Sequence, residues 1–194
     1  MVLYQLPKLS YDYDELEPFF DTETVKIHHL KHHQAYVDGL NSALAEIGAA
    51  SHPKYISAIL SELNSIPESA RSSINFFGGG FENHRLFWDT MTPDGDKIPG
   101  GKLEDQIDVY FDDFKNFKKI FSEKAISIQG SGWCWLVFNI SGKYLEYIAF
   151  KTNKTIKEIT KERLTLKTLI LEEIQYVILP IANGNEAAGI APYL

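Results

Sequence analysis

Apolar residues Leu30, Val37, Leu40, Leu44 and Ile47 recur at steps of three, four and seven, the spacing of one helical face. Thr22 or Thr24 suits the cap of this helix, with Glu23 in its first turn. Before it, residues 1–21 form an irregular arm rich in Tyr, Pro and Asp. Ser51-His52-Pro53 ends the pattern, and Pro53 fits the first turn of a second helix over residues 53–65. A third helical stretch runs from about Ser69 to Thr90. Gly78-Gly79-Gly80 lies inside it and predicts a bend or a close backbone approach, since glycine is costly within a helix. The polar loop of Thr92-Pro93-Asp94-Gly95 and Pro99-Gly100-Gly101 marks the boundary between a domain at 1–92 and another at 93–194. Leu103 to Ala125 returns to helical spacing through Ile107, Tyr110, Phe111, Phe114 and Phe117.

The character then changes. Trp133 to Asn139 and Tyr144 to Phe150 are short aromatic and β-branched runs joined through Ser141-Gly142, which predicts a hairpin. Leu166 to Leu171 reads as a third strand, and Glu172 to Leu179 suits a strand or a helix. An all-helical first half followed by a small α+β second half is the expected organisation.

Composition narrows the class. With 194 residues, 44% of them hydrophobic, the chain suits one ordinary domain or two small layers sharing a core. Its single cysteine, Cys134, excludes an internal disulfide framework and fits a reducing compartment. A net charge of -7, from 26 acidic against 19 basic residues, argues against nucleic acid as a partner. No apolar run is long enough to cross a bilayer, so no membrane partner is expected. Met1 to Pro7 resembles neither a signal peptide nor a transit segment. The expected location is cytoplasmic, or mitochondrial if a targeting segment precedes this sequence.

Candidate chemistry gathers on the helices. Four of the six histidines, His28, His29, His32 and His33, fall within six residues. On an α-helix of about 3.6 residues per turn, His28, His32 and Tyr36 form one stripe, with His29 and His33 beside it. One stripe can present an imidazole to a metal, with a second imidazole and a phenol in the outer shell. The bland alternative is a polar helix face, which four histidines and an aligned tyrosine make the weaker reading. His84 sits in Phe81-Glu82-Asn83-His84-Arg85-Leu86-Phe87-Trp88. Local sequence weighs a ligand there equally against a core-edge histidine. Gly130-Ser131-Gly132-Trp133-Cys134-Trp135 is, by itself, a turn leading into a buried strand. No Glu lies between His28 and His32 in the manner of an HExxH zinc hydrolase.

Larger motifs then converge. Leu6-Pro7-Lys8-Leu9, Leu16-Glu17-Pro18 and Ile27-His28-His29-Leu30-Lys31-His32-His33-Gln34-Ala35-Tyr36-Val37 resemble the opening of the iron/manganese superoxide dismutases. Gly79-Gly80-Phe81-Glu82-Asn83-His84 with Phe87-Trp88 is similar to that family's second ligand helix, and Gly130-Ser131-Gly132-Trp133 to the start of its C-terminal sheet. The motifs keep the family's order over about residues 3–142. The resemblance implies an α+β fold, in which an N-terminal antiparallel helical hairpin packs on a small C-terminal α/β layer with a three-stranded antiparallel sheet. It implies metal ligands at His28 and His84, a gate of His32 and Tyr36, and pocket walls at Trp88 and Trp133. His29 and His33 become polar neighbours. The cofactor implied is manganese, with iron possible, and the Gly79-Gly80 pair leans toward manganese. The substrate is superoxide, and the assembly is a homodimer or homotetramer with the site near a subunit boundary.

The C-terminal end departs from that pattern. The family places an Asp and a His there as its third and fourth ligands. Leu169-Ile170-Leu171-Glu172-Glu173-Ile174-Gln175-Tyr176-Val177-Ile178 puts Glu172 at the Asp position, Tyr176 at the His position and Gln175 in place of a Glu. A carboxylate at Glu172 remains a competent metal ligand. The outer-sphere glutamine of the family is also missing, with Gly80 and Lys154 at its two customary positions. These departures motivate a rival expectation, a catalytically dead member of the fold serving as a structural or binding subunit. The economy of His28, His32, Tyr36, His84 and Trp88 occurring together favours the enzyme.

Overall fold

The computed structural model describes residues 4–48, 55–93, 95, 98–139 and 144–151. It divides into two compact units, Met1–Trp88 and Asp89–Leu194.

In the first unit, helix α1 (Thr22–Ile27), a π-helical segment (His28–His33) and helix α2 (Gln34–Glu46) follow one another without interruption. Asp21, not either threonine, caps the start. Its carboxylate accepts from the Thr24 N–H at 2.8 Å and the Thr24 hydroxyl at 2.6 Å. Thr22 cannot serve, because its own N–H and hydroxyl are engaged by the Glu17 carboxylate at 2.9 and 3.0 Å. Helix α2 ends where Gly48 adopts a left-handed φ of 65°, open to glycine at little cost. The expected helix start at Pro53 lies outside the described residues. Helix α3 is Ile56–Ser61, followed by a single 3-10 turn, Leu63–Ser65.

Helix α4 spans Glu68–Asp89 as 22 uninterrupted residues. The expectation for its glycines is a bend or a close approach, and a close approach is what Gly78 and Gly80 provide. A Cβ on Gly78 would stand 3.0 Å from the Ile56 side chain, and one on Gly80 would overlap the Tyr36 ring. Gly39 faces the Phe77 ring with the same intimacy from the other side. Contacts descend α2 and the π-helical segment before it as they climb α4, from Gly39 with Phe77 through Tyr36 with Gly80 and His33 with His84 to His28 with Trp88. The two helices are therefore an antiparallel hairpin. Val37, Leu40, Leu44, Ile56, Ile59 and Ile74 fill the space beside it. Each such buried aliphatic side chain contributes about 1.5–3 kcal/mol relative to exposure.

In the second unit, helix α5 (Gly101–Phe111) and helix α6 (Phe114–Ile126) replace the single stretch expected from Leu103 to Ala125. Asp112 breaks it by adopting a positive φ of 70°, and Asp113 caps α6 by accepting from the Asn116 N–H at 2.6 Å. Phe111, Phe117, Phe121 and Ala125 pack with Cys134 and Leu136 in this unit's own core. Strands β1 (Gly132–Asn139) and β2 (Tyr144–Lys151) pair antiparallel, from Gly132 opposite Lys151 to Asn139 opposite Tyr144. This is the expected hairpin. The expected third strand at 166–171 lies outside the described residues, as do Lys154, Glu172, Gln175 and Tyr176. No helix among the described residues is long and apolar enough to cross a membrane.

Candidate metal centre

The π-helical segment changes which histidines meet. A π turn bonds residue i to i+5 and so holds more residues than an α turn. His28 and His33, five apart, both reach the His84 ring on α4, while His28 also keeps its contact with His32. The ring centroids of His28, His33 and Tyr36 lie 4.9, 5.2 and 5.0 Å from that of His84. His32 is exposed and stands 5.9 Å from His28. His28, His32 and Tyr36 keep to one side of the segment, His33 joins the ring cluster beside them, and the exposed His32 sits at its rim. Phe87 and Trp88 close the His28 side at 5.1 and 5.0 Å.

Hydrogen bonds fix the tautomers. The His84 Nδ1–H donates to the Gly80 carbonyl at 2.7 Å, which leaves Nε2 as the nitrogen carrying the lone pair. His29 is engaged at both nitrogens. Its Nε2–H donates to the Pro7 carbonyl at 2.8 Å, so Nδ1 accepts from the Tyr13 hydroxyl at 3.0 Å. That pairing makes His29 a clamp for the N-terminal arm, which the Tyr11 hydroxyl also ties to the Trp88 carbonyl at 3.1 Å. In His33, Nδ1 accepts from the Trp88 indole N–H at 3.2 Å.

Burial keeps the cluster uncharged. It pushes His28 and His33 down to about 3, with neighbouring imidazoles, His84 foremost, adding to the effect. Burial pushes His84 down to about 4, against the opposing pull of its bond to Gly80. Removing an imidazolium from water with other imidazoles beside it disfavours the charge twice over. Burial also raises the Tyr36 phenol, which therefore stays protonated at neutral pH.

A neutral imidazole whose second nitrogen donates to a backbone carbonyl is how metal-ligating histidines are ordinarily oriented. His84 meets that description, and His28 faces it across 4.9 Å. The two fit one half of a nitrogen-and-oxygen site. Among the described residues, no third His, Cys, Asp or Glu joins them to complete a metal-binding group. Trp133 is buried in the second unit, its ring stacked on Trp135 at 5.4 Å and 12°. Glu172 falls outside the described residues. Sequence reading sets His33 beside His29 as a polar neighbour, and both lie on the buried stripe of Val25, His29, His33 and Val37.

A half-buried His28 facing a buried His84 on an antiparallel helical hairpin, walled by aromatic rings, suits proteins that present imidazoles to a metal. Sequence comparison makes it specific. Residues 3–92 match the profile of the iron/manganese superoxide dismutase alpha-hairpin domain, and residues 99–173 match that of the same enzymes' C-terminal domain. The chain belongs to the iron/manganese superoxide dismutase family. Among curated relatives, "Superoxide dismutase [Mn] 2" of Bacillus anthracis is 46% identical over 139 residues, 72% of this chain and 66% of its own length. "Superoxide dismutase [Mn]" of Listeria monocytogenes is 44% identical over 140 residues, covering 70% and 67%. "Superoxide dismutase [Mn/Fe]" of Methylomonas is 43% identical over 133 residues, covering 69% and 65%. The chain thus spans about two thirds of the length of the relatives it matches. The C-terminal profile reaches Glu172 but stops short of Gln175 and Tyr176.

Proposed function

We propose that this chain is a superoxide dismutase, with His28 and His84 as two ligands of manganese or, alternatively, iron, and Glu172 as a third. The observation that carries this reading is the pair of neutral imidazoles 4.9 Å apart, one of them oriented by a backbone carbonyl. The relatives' names, two with manganese and one with manganese or iron, support the metal. When bound, the metal supplies one-electron exchange, so that one superoxide leaves as O2 and the next, with two protons, as H2O2.

The chain's own residues do the rest. Nε2 of His84 and a nitrogen of His28 hold the cation without adding charge. Phe87 and Trp88 exclude water from the His28 face. Tyr36 keeps its proton and lies against His84, which suits it to pass a proton inward and to limit what enters. His32, exposed beside His28, is placed to exchange protons with solvent. Lys31, exposed in an otherwise acidic chain, offers the anionic substrate a local attraction. A homodimer or homotetramer in the cytoplasm completes the reading, and the low cysteine count suits that compartment. Alanine at His28 or at His84 abolishes metal loading on this reading. Full metal content in either variant, measured by elemental analysis, would sink the ligand assignment.

A further inference from the structure

His33 is the least exposed of the buried histidines, at 0%. Neither the two-ligand reading nor the proton path uses it. Besides His29, whose ring lies 6.0 Å away, three side chains meet its ring. The Trp88 indole donates to Nδ1 at 3.2 Å. The His84 ring lies nearly parallel to it, at 18° and 5.2 Å, and the Phe81 ring leans on it at 5.4 Å. Because Nδ1 accepts, the neutral ring carries its proton on Nε2, which makes no hydrogen bond of good geometry, the Phe81 backbone being the nearest group to draw on a ring N–H. The acceptor at Nδ1 is a feature that an apolar ring of the same shape could not offer the indole.

We propose that His33 is a positioning residue that acts through two separate features: its Nδ1 lone pair fixes the indole of Trp88, and its ring face fixes the plane of His84. Trp88 lies 5.0 Å from His28. One side chain thereby orients one ligand directly and the wall beside the other. The effect on metal binding rests on the reading of His28 and His84 as ligands; the effect on the indole does not.

Two substitutions separate the features. His33→Asn keeps an acceptor near the Nδ1 position and removes the ring. His33→Phe keeps a ring and removes the acceptor. Isotope-labelled, metal-free full-length chain gives the first readout, the indole N–H resonance of Trp88, assigned by its disappearance in Trp88→Phe. In the unmodified chain, nitrogen shifts of His33 should show a lone pair at Nδ1 and a proton at Nε2, with a coupling across the hydrogen bond to the indole. His33→Phe should move the Trp88 resonance to the position of an unbonded indole, and His33→Asn should leave it in place. The second readout is manganese(II) affinity, which orienting partners of metal ligands typically affect by about 10–100-fold. A loss of that size is expected in His33→Asn, with a smaller loss in His33→Phe. A His33 proton on Nδ1, or an indole resonance unmoved in His33→Phe, overturns the role at Trp88, and needs no variant to fold in the first case. Manganese affinity within about twofold of the parent in His33→Asn, alongside a large loss in His84→Ala, overturns the role at His84. If His84→Ala itself binds manganese normally, the ligand reading has failed instead, and the indole result still decides the rest.

Discussion

Gly80 shows how much one missing side chain arranges. Its carbonyl accepts from His84, and its bare Cα lets the Tyr36 ring lie flat against α4. A methyl group there must push the ring away, because the clash is with the body of an aromatic side chain and not its flexible tip. Gly80→Ala is therefore expected to destabilise the fold by about 1–3 kcal/mol and to weaken manganese binding, as read by thermal unfolding and metal titration. An unchanged unfolding temperature would show that Tyr36 has slack. The buried imidazoles make a second prediction, on pH. Their folded values, about 3 for His28 and His33 and about 4 for His84, lie below the ordinary 6.5. Between those values the unfolded chain holds protons that the folded one does not, so folding is disfavoured as pH falls through that window. Stability of the metal-free chain should be flat above about pH 6.5 and decline below it, at up to about 1.4 kcal/mol per pH unit for each proton. Urea midpoints at several pH values test this; a midpoint independent of pH from 7 to 4.5 would contradict it. Residue identities at the site were readable in advance, since histidines and glycines announce themselves by type. Their partnerships were not, because a tautomer and a ring stack depend on what the opposite helix brings.

At the scale of the element, the ends of helices were harder to foresee than their middles. Asp21 caps α1 because its carboxylate reaches both groups of Thr24 while Glu17 occupies Thr22. Asp21→Ala should cost about 1 kcal/mol of stability, measured by urea unfolding, and Thr22→Ala appreciably less. Equal losses would deny the cap to Asp21. Between α5 and α6, Asp112 holds a positive φ of 70°, a strained choice for any residue with a Cβ. Asp112→Gly should leave the break in place and raise stability by about 0.5–1 kcal/mol, despite the greater freedom of glycine in the unfolded chain. The periodicity of Ile107, Phe111, Phe114 and Phe117 concealed this break, since the apolar face continues on both sides of it. The π-helical segment was equally invisible, because one added residue per turn leaves no mark on a run that is polar almost throughout.

At the scale of the molecule, each unit carries its own core, aliphatic beside the helical hairpin and aromatic between α6 and β1. The hairpin, the helices that follow and the two strands were legible because each alternates apolar and polar positions at its own period. The C-terminal end gave no such pattern, and the third strand expected there falls outside the described residues. Family membership is secured by the match to both domain profiles, which together run from residue 3 to residue 173 with one short gap. Sedimentation is expected to show a dimer or tetramer, and a monomer at micromolar concentration would contradict the proposed assembly. The most direct test is metal content per chain, measured by elemental analysis on purified protein together with superoxide consumption by the same sample. About one manganese or iron per chain, with activity that disappears in His28→Ala and in His84→Ala, is the predicted result. Folded protein that contains no metal and consumes no superoxide would contradict it.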